Sequence, residues 1–114
     1  MPRDYKVYLE DIVESIGKIR SYTASFSLQT LSSDAKTLDA VIRNLEIIGE
    51  AIKGVGEDVR SRYTDVEWKK ISGLRDILIH EYFGVDTEII WDIIQNKLPV
   101  LESQIKRILE DQNV

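Results

Sequence analysis

Apolar residues return every three or four positions along most of this chain, the spacing that places them on one side of a helix. The first such stretch covers about residues 4–23. Its apolar positions are Tyr5, Tyr8, Leu9, Ile12, Ile16 and Ile19. This pattern predicts a first amphipathic helix, followed by a short helical turn around Leu28–Leu31 in the hydroxyl-rich stretch "SYTASFSLQTLSSD".

A second helix is predicted from about Ser33, a residue type that suits the N-cap position, to about Val55. Its apolar positions are Leu38, Val41, Ile42, Leu45, Ile48, Ala51 and Ile52. The next stretch, "GVGEDVRSRYTD", contains two glycines and predicts a connection with one helical turn.

Three further helices are predicted in the second half of the chain. The third begins after Asp65 as its cap and ends near Gly84, because glycine tolerates the backbone of a helix stop. Asp86 is the predicted cap of the fourth, and the last covers about Leu98–Leu109. The apolar positions are Trp68, Ile71, Leu74 and Leu78, then Ile89, Ile90, Ile93 and Ile94, then Leu101, Ile105 and Ile108.

No stretch alternates apolar and polar residues with the period of a strand, so we expect an all-α, up-and-down bundle of four to five helices. The 114 residues suit one domain, residues 1–114. The apolar faces of the second and third helices are broad. We therefore expect a second chain to bury part of that surface.

Composition narrows the function classes. The net charge of -5 argues against a large nucleic-acid footprint, because phosphate binding needs a basic face, but it leaves room for a small catalytic contact. There is no cysteine, which excludes disulfides and thiolate metal sites. No apolar run is long enough to cross a membrane, and the first residues turn acidic too early for a signal peptide, so we expect a cytoplasmic protein.

The candidate chemistry lies in "GLRDILIHEYFGV", which carries Arg75, Asp76, Tyr82 and the only histidine, His80. Imidazole transfers protons near neutral pH, and guanidinium binds phosphate through two hydrogen bonds, so these residue types suit phosphodiester cleavage. Asp76, one turn before His80, could set its tautomer. Tyr82 could orient a phosphate or stack on a base. One histidine does not make a metal-ligand set, and no metal or cofactor is expected.

The spacing in this stretch leaves several interpretations open. Arg75 and His80 are about 140° apart on an ideal helix, so they do not point together. A bent arginine, a helix that loosens near Glu81, or a second subunit could bring the groups together. The plainer alternative is that His80 and Arg75 are surface residues and that Tyr82 packs in the core, since short motif matches are often accidental.

"RDILIHEY", residues 75–82, resembles the R-x4-H-x-Y motif of the HEPN superfamily, in particular the HepT-like toxins. The resemblance extends over nearly the whole chain. "YLEDIVESIGKIRSYT" is similar to the first helix of that family, "DAVIRNLEIIGEAIK" to its second long helix, and "WKKISGLRDILIHEYFGVDTEIIWDIIQNKLPVL" to the remainder.

The resemblance implies an all-helical homodimer whose two motifs face a shared cleft, and a metal-independent endoribonuclease activity on RNA. It implies that Arg75 contacts the scissile phosphate, that His80 transfers a proton, and that Asp76 is the polar residue after the motif arginine. The implied partner is an MNT-type nucleotidyltransferase antitoxin. In related pairs that antitoxin transfers AMP to the motif tyrosine, here Tyr82, and a bulky anion there would block phosphate approach.

Residues of the second helix also match the resemblance, in the pattern "RNxExxGE". Arg43, Asn44 and Glu50 are candidate cleft-lining residues, although Arg43 has the spacing of a surface pair with Glu46 or Glu50. The competing hypotheses are a non-catalytic module that binds a nucleotide or a nucleotidyltransferase, and a structural dimer in which the motif serves packing.

Overall fold

A computed structural model describes the backbone of residues 4–80 and 87–112, and the side chains of residues 4–74 and 87–111. Every regular element in these ranges is helical, which confirms the all-α prediction. The elements are α1 (Tyr5–Thr23), α2 (Leu28–Ser32), α3 (Ala35–Gly54), α4 (Glu57–Arg62), α5 (Trp68–His80), α6 (Thr87–Asp92), a π-helical turn (Ile93–Lys97) and α7 (Leu98–Gln112).

The first helix follows its predicted stripe. Asp4 caps α1 by accepting a hydrogen bond from the backbone N–H of Lys6 at 3.0 Å. Four apolar positions along the following turns are completely buried, namely Leu9, Ile12, Ile16 and Ile19. Burial of one such side chain contributes about 1.5–3 kcal/mol, so packing of this face, more than intrinsic propensity, stabilises α1.

The long helix α3 is the centre of the bundle, because it contacts both α1 and α5. Its apolar side chains at six positions are buried within the single chain, namely Val41, Ile42, Leu45, Ile48, Ala51 and Ile52. The broad apolar face predicted for this helix therefore does not require a second chain. Two neighbouring helices cover a wider arc of a helix than one neighbour does, which accounts for the burial of these positions. The expectation that a second chain buries part of the apolar surface stays a prediction.

The cap of α3 is Asp34, and the prediction of Ser33 was wrong by one residue. The carboxylate of Asp34 accepts hydrogen bonds from the backbone N–H and the hydroxyl of Thr37, both at 3.0 Å. These bonds lower the pKa of Asp34, the backbone bond most strongly. Ser33 still has helical dihedral angles and ends α2, and its hydroxyl donates to the carbonyl of Gln29.

Asp65 does not cap the third predicted helix, because α5 begins at Trp68 and Asp65 lies in the turn before it. Its carboxylate instead pairs with Arg107 of α7, at 2.6 Å between Arg107 Nη2 and Asp65 Oδ2. The side-chain amide of Gln104 also donates to the backbone carbonyl of Asp65 at 2.9 Å. The contacts attach this turn to α7.

The last two predicted helices form one helical stretch from Thr87 to Gln112, interrupted by the π-helical turn. The backbone N–H of Leu98 donates to the carbonyl of Ile93, five residues earlier. Pro99 follows at once, and because proline has no N–H it fits where the hydrogen-bond register changes. The predicted cap Asp86 and the predicted stop Gly84 lie outside the described residues.

Little large apolar surface is exposed among the described side chains. The three examples are Tyr22, Ile89 and Val100, at 43%, 59% and 56% exposure. None of them belongs to the second predicted helix or to the described part of the third, which ends at Leu74. Among the helices described, none combines the length and the apolar content needed to span a lipid bilayer.

Candidate active site

The start of α5 is fixed by contacts on three sides. Trp68 is buried, and its indole N–H donates to the backbone carbonyl of Tyr63 at 2.9 Å. The preceding turn is attached to α7 through Asp65, as described above, and Tyr63 also donates its hydroxyl hydrogen to Asp111 at 3.1 Å. Because α5 also packs on α3, its first turns are held in one position and the residues that follow inherit that position.

Arg75, Asp76 and His80 all lie in α5, which continues without interruption to His80. At about 100° and about 1.5 Å per residue, positions 75 and 80 are about 140° apart around the axis and about 7.5 Å apart along it. The helix therefore does not loosen before His80. Position 76 lies about 40° from position 80, on the same side of α5.

The chemical roles of these residues remain predictions. The side chains of residues 75–80, and with them those of Arg75, Asp76 and His80, lie outside the described residues, as does Tyr82. What the structure establishes is the helical backbone that carries the first three and the two different sides of α5 on which positions 75 and 80 fall.

A groove of about 400 Å³ lies between the first turns of α5 and the helical stretch formed by the π-helical turn and α7. Its walls are Glu67, Lys70, Ile71, Leu74, Ile93, Asn96, Lys97, Leu98, Val100, Leu101 and Gln104. Position 80 is about 120° around α5 from position 74, so this groove is on a different side of the helix from His80. Sequence reasoning missed the groove because its walls come from parts of the chain some 30 residues apart.

The rim of this groove carries two lysines, Lys70 and Lys97, and one glutamate, Glu67. Lys70 Nζ lies 2.8 Å from Glu67 Oε2. This ion pair lowers the pKa of Glu67 and raises the pKa of Lys70, in both cases mainly through the hydrogen bond between them. Lys97 also lowers the pKa of Glu67. The groove therefore combines apolar walls with one ion pair and one further lysine at its rim.

The three candidate residues of α3 have different surroundings. Asn44 is buried, and its side-chain amide donates to the carbonyl of Ala40 at 2.9 Å within the same helix. The side chain of Arg43 is 73% exposed and forms a loose pair with Glu46 at 4.0 Å, as its spacing predicted. Glu50 is also exposed. Arg43 and Glu50, seven residues apart, share one exposed side of α3, whereas Asn44 faces inward.

In the part of the chain with described side chains, no group of three or more histidine, cysteine, aspartate or glutamate residues is arranged to hold a metal ion. The acidic residues there are instead distributed among helix caps and ion pairs, including Asp34, Asp65 and Glu67.

The helical bundle, together with Arg75 and His80 five residues apart on α5, places this chain among small helical domains that carry an arginine and a histidine on one helix. Within that class, residues 12–108 match the family model described as "Ribonuclease HepT-like". The chain belongs to the HepT-like ribonuclease family.

Similar proteins support this assignment over nearly the full length. A Methanocaldococcus jannaschii protein named "Putative RNase MJ0127" is 45% identical over 97% of this chain and 93% of its own. "Probable ribonuclease HepT" of Thermococcus cleftensis is 39% identical over 95% of this chain and 98% of its own. "Putative RNase TTE0752" of Caldanaerobacter subterraneus is 41% identical over 92% of this chain and 94% of its own. No solved structure matches the chain significantly.

Proposed function

We propose that this protein is a metal-independent endoribonuclease that acts as the toxin of a toxin–antitoxin pair. In the proposed reaction the 2′-hydroxyl of RNA attacks the adjacent phosphate and the 5′-oxygen of the next nucleotide leaves. The products are a 2′,3′-cyclic phosphate and a 5′-hydroxyl. His80 transfers the proton, and Arg75 stabilises the charge that grows on the phosphate oxygens. Membership of the HepT-like ribonuclease family is the observation that carries the proposal.

The proposed active unit is a homodimer with a shared cleft. The support is the unbroken helix of α5, on which positions 75 and 80 are about 140° apart. Two groups on different sides of one helix act on the same phosphate more readily when a second copy supplies one of them. Asp76, on the side of His80, is the proposed orienting residue for the imidazole. Arg43, Asn44 and Glu50 are retained as proposed residues of the cleft or its supports.

The proposed antitoxin is an MNT-type nucleotidyltransferase that transfers AMP to Tyr82. Two residues from His80, an AMP group would place an anion where the RNA phosphate must bind, and it would exclude that phosphate by size and by like charge. Mass spectrometry of the peptide containing Tyr82, after co-expression with such an enzyme, tests this step. An unmodified peptide from an inactive complex would show that inhibition has another cause.

The activity is tested with purified protein and labelled RNA in the presence of EDTA. We expect cleavage by the wild type and none by His80→Ala. Arg75→Ala is expected to lose about 3 kcal/mol of transition-state stabilisation, a rate loss of roughly 10²-fold. Arg20→Ala on α1 removes the same charge from a side chain that pairs with Glu102, and it serves as the matched control. Equal activity of wild type and His80→Ala would refute the proposed reaction.

The net charge of -5 favours a second candidate, a non-catalytic module that binds a nucleotide or a nucleotidyltransferase. Under that hypothesis Arg75 and His80 bind a nucleotide phosphate without breaking RNA. Calorimetry with mononucleotides, run beside the cleavage assay, separates the two candidates. Tight mononucleotide binding with intact RNA would favour the module.

A further inference from the structure

The side of α5 that carries position 80 continues toward the helix start through positions 73 and 69. On a regular helix, positions 73 and 69 are each about 20° around the axis from position 80, one in each direction. Position 69 is about 16 Å from position 80 along the axis. A ligand that lies along this side of α5 from His80 toward the helix start therefore passes Gly73 and then Lys69.

Lys69 is an exposed cation with no ion-pair partner among the described residues. The two carboxylates nearest to it in sequence are both engaged elsewhere. Asp65, four residues before Lys69, pairs with Arg107 at 2.6 Å. Glu67 pairs with Lys70 at 2.8 Å. Both of these carboxylates are therefore paired with cations other than Lys69.

Gly73 presents no side chain on this side of α5. A Cβ placed on Gly73 would meet no atom within 4 Å, and the backbone there has no positive φ that requires glycine. Glycine inside a helix costs about 1 kcal/mol relative to alanine. Nothing within the described chain offsets this cost, so an open position at this point favours close approach by a molecule from outside.

We propose that the RNA strand lies along this side of α5 and that Lys69 binds a backbone phosphate a few nucleotides from the scissile bond. Lys69 is thereby a positioning residue, and Gly73 is the bare surface over which the strand passes. The inference rests on the proposed ribonuclease function and adds the direction of the substrate. The ammonium group of a lysine without a carboxylate partner is available to a phosphate, and contacts of this kind supply much of the affinity of proteins for nucleic acids.

Salt-dependent binding tests the role of Lys69. The dissociation constant of an RNA oligonucleotide is measured by fluorescence anisotropy in the His80→Ala background, which prevents cleavage. Loss of one phosphate contact lowers the slope of log affinity against log salt by about 0.7. When the salt concentration rises fourfold, the affinity of both proteins for RNA falls. The fall should be roughly 2.5-fold smaller for Lys69→Gln than for the parent. Lys18→Gln on α1 makes the same change in net charge and should leave the slope unchanged.

Kinetics separates positioning from catalysis. In the cleaving protein, Lys69→Gln should raise KM with little change in kcat, because the phosphate contact exists equally in the ground state and the transition state. Gly73→Gln, which fills the open position, should also raise KM. Gly17→Gln is its control, since a Cβ on Gly17 likewise meets nothing within 4 Å.

Each outcome decides the proposal. A Lys69→Gln variant that behaves like Lys18→Gln, while the parent binds RNA normally, overturns the assignment of Lys69 and leaves the ribonuclease proposal standing. Lys69→Gln that changes the dimer equilibrium but not RNA binding shows that a second copy covers this side of α5, which also overturns it. A wild type that neither binds nor cleaves RNA overturns both proposals together.

Discussion

Replacement of Gly54 by alanine should destabilise the protein, although alanine is the better helix former. Gly54 is the last residue of α3, and a Cβ built on it would lie 2.5 Å from Cε1 and Cζ of Tyr8 and 2.6 Å from Cδ1. These atoms belong to the rigid ring of a side chain on α1 that is partly buried against the core. To accept the methyl group, the ring or the end of α3 must move.

The magnitude follows from two opposing terms. Overpacking of this kind costs about 1–3 kcal/mol. The gain from glycine to alanine is at most about 1 kcal/mol, and it is smaller at a helix end. The expected net loss is about 1–2 kcal/mol, which lowers the Tm by roughly 4–8 °C for a domain of this size. Gly17→Ala, in the interior of α1 with nothing within 4 Å of the new Cβ, should raise the Tm instead.

Thermal unfolding followed by circular dichroism measures both variants, and a double-mutant cycle assigns the cause. In a Tyr8→Ala background the steric conflict is absent, so Gly54→Ala should become neutral or stabilising, with a coupling of at least about 1 kcal/mol. The reasoning is refuted if Gly54→Ala raises the Tm as Gly17→Ala does, or if its penalty is the same with and without the Tyr8 ring.

Two further changes test the core and the cap of α3. Ile48→Ala removes a side chain with 0% exposure and should lower the free energy of unfolding, measured in urea, by about 2–5 kcal/mol. Ile89→Ala, at a position that is 59% exposed, should cost far less. Similar losses in the two variants would contradict the packing described for α3. The lowered folded-state pKa of Asp34 gives stability that is present above its ordinary pKa and is lost as pH falls through the folded value. Asp34→Asn keeps a capping oxygen but does not titrate. Its Tm should therefore fall less than that of the wild type between about pH 5 and about pH 3. An equal fall in the two proteins would count against the cap.

The order of the helices and several of their bounds could be predicted from the sequence, because apolar periodicity and capping residues act within a few positions of one another. The stripe of α1 and the start of α7 at Leu98 are examples. The choice between Ser33 and Asp34 could not be made in this way. Both are good capping residues, and the decision depended on Ser33 completing α2.

Contacts between distant residues decided the rest. Asp65 pairs with Arg107, 42 residues later, and not with the start of α5. The breadth of the apolar face of α3 reflects two helix neighbours, which periodicity alone cannot distinguish from one neighbour and a second chain. The conflict between Gly54 and Tyr8 also arises only when α1 and α3 pack.

For the candidate site, the sequence by itself determined which residues could do chemistry, since Arg75, Asp76, His80 and Tyr82 were identified by residue type, spacing and resemblance. Tertiary structure decided that the groove beside α7 is on another side of α5 from position 80, and that Asp65, close to Lys69 in sequence, pairs with Arg107. The physical reason is that helix formation and residue chemistry are local properties. Charge compensation and packing depend on which distant groups the fold brings together.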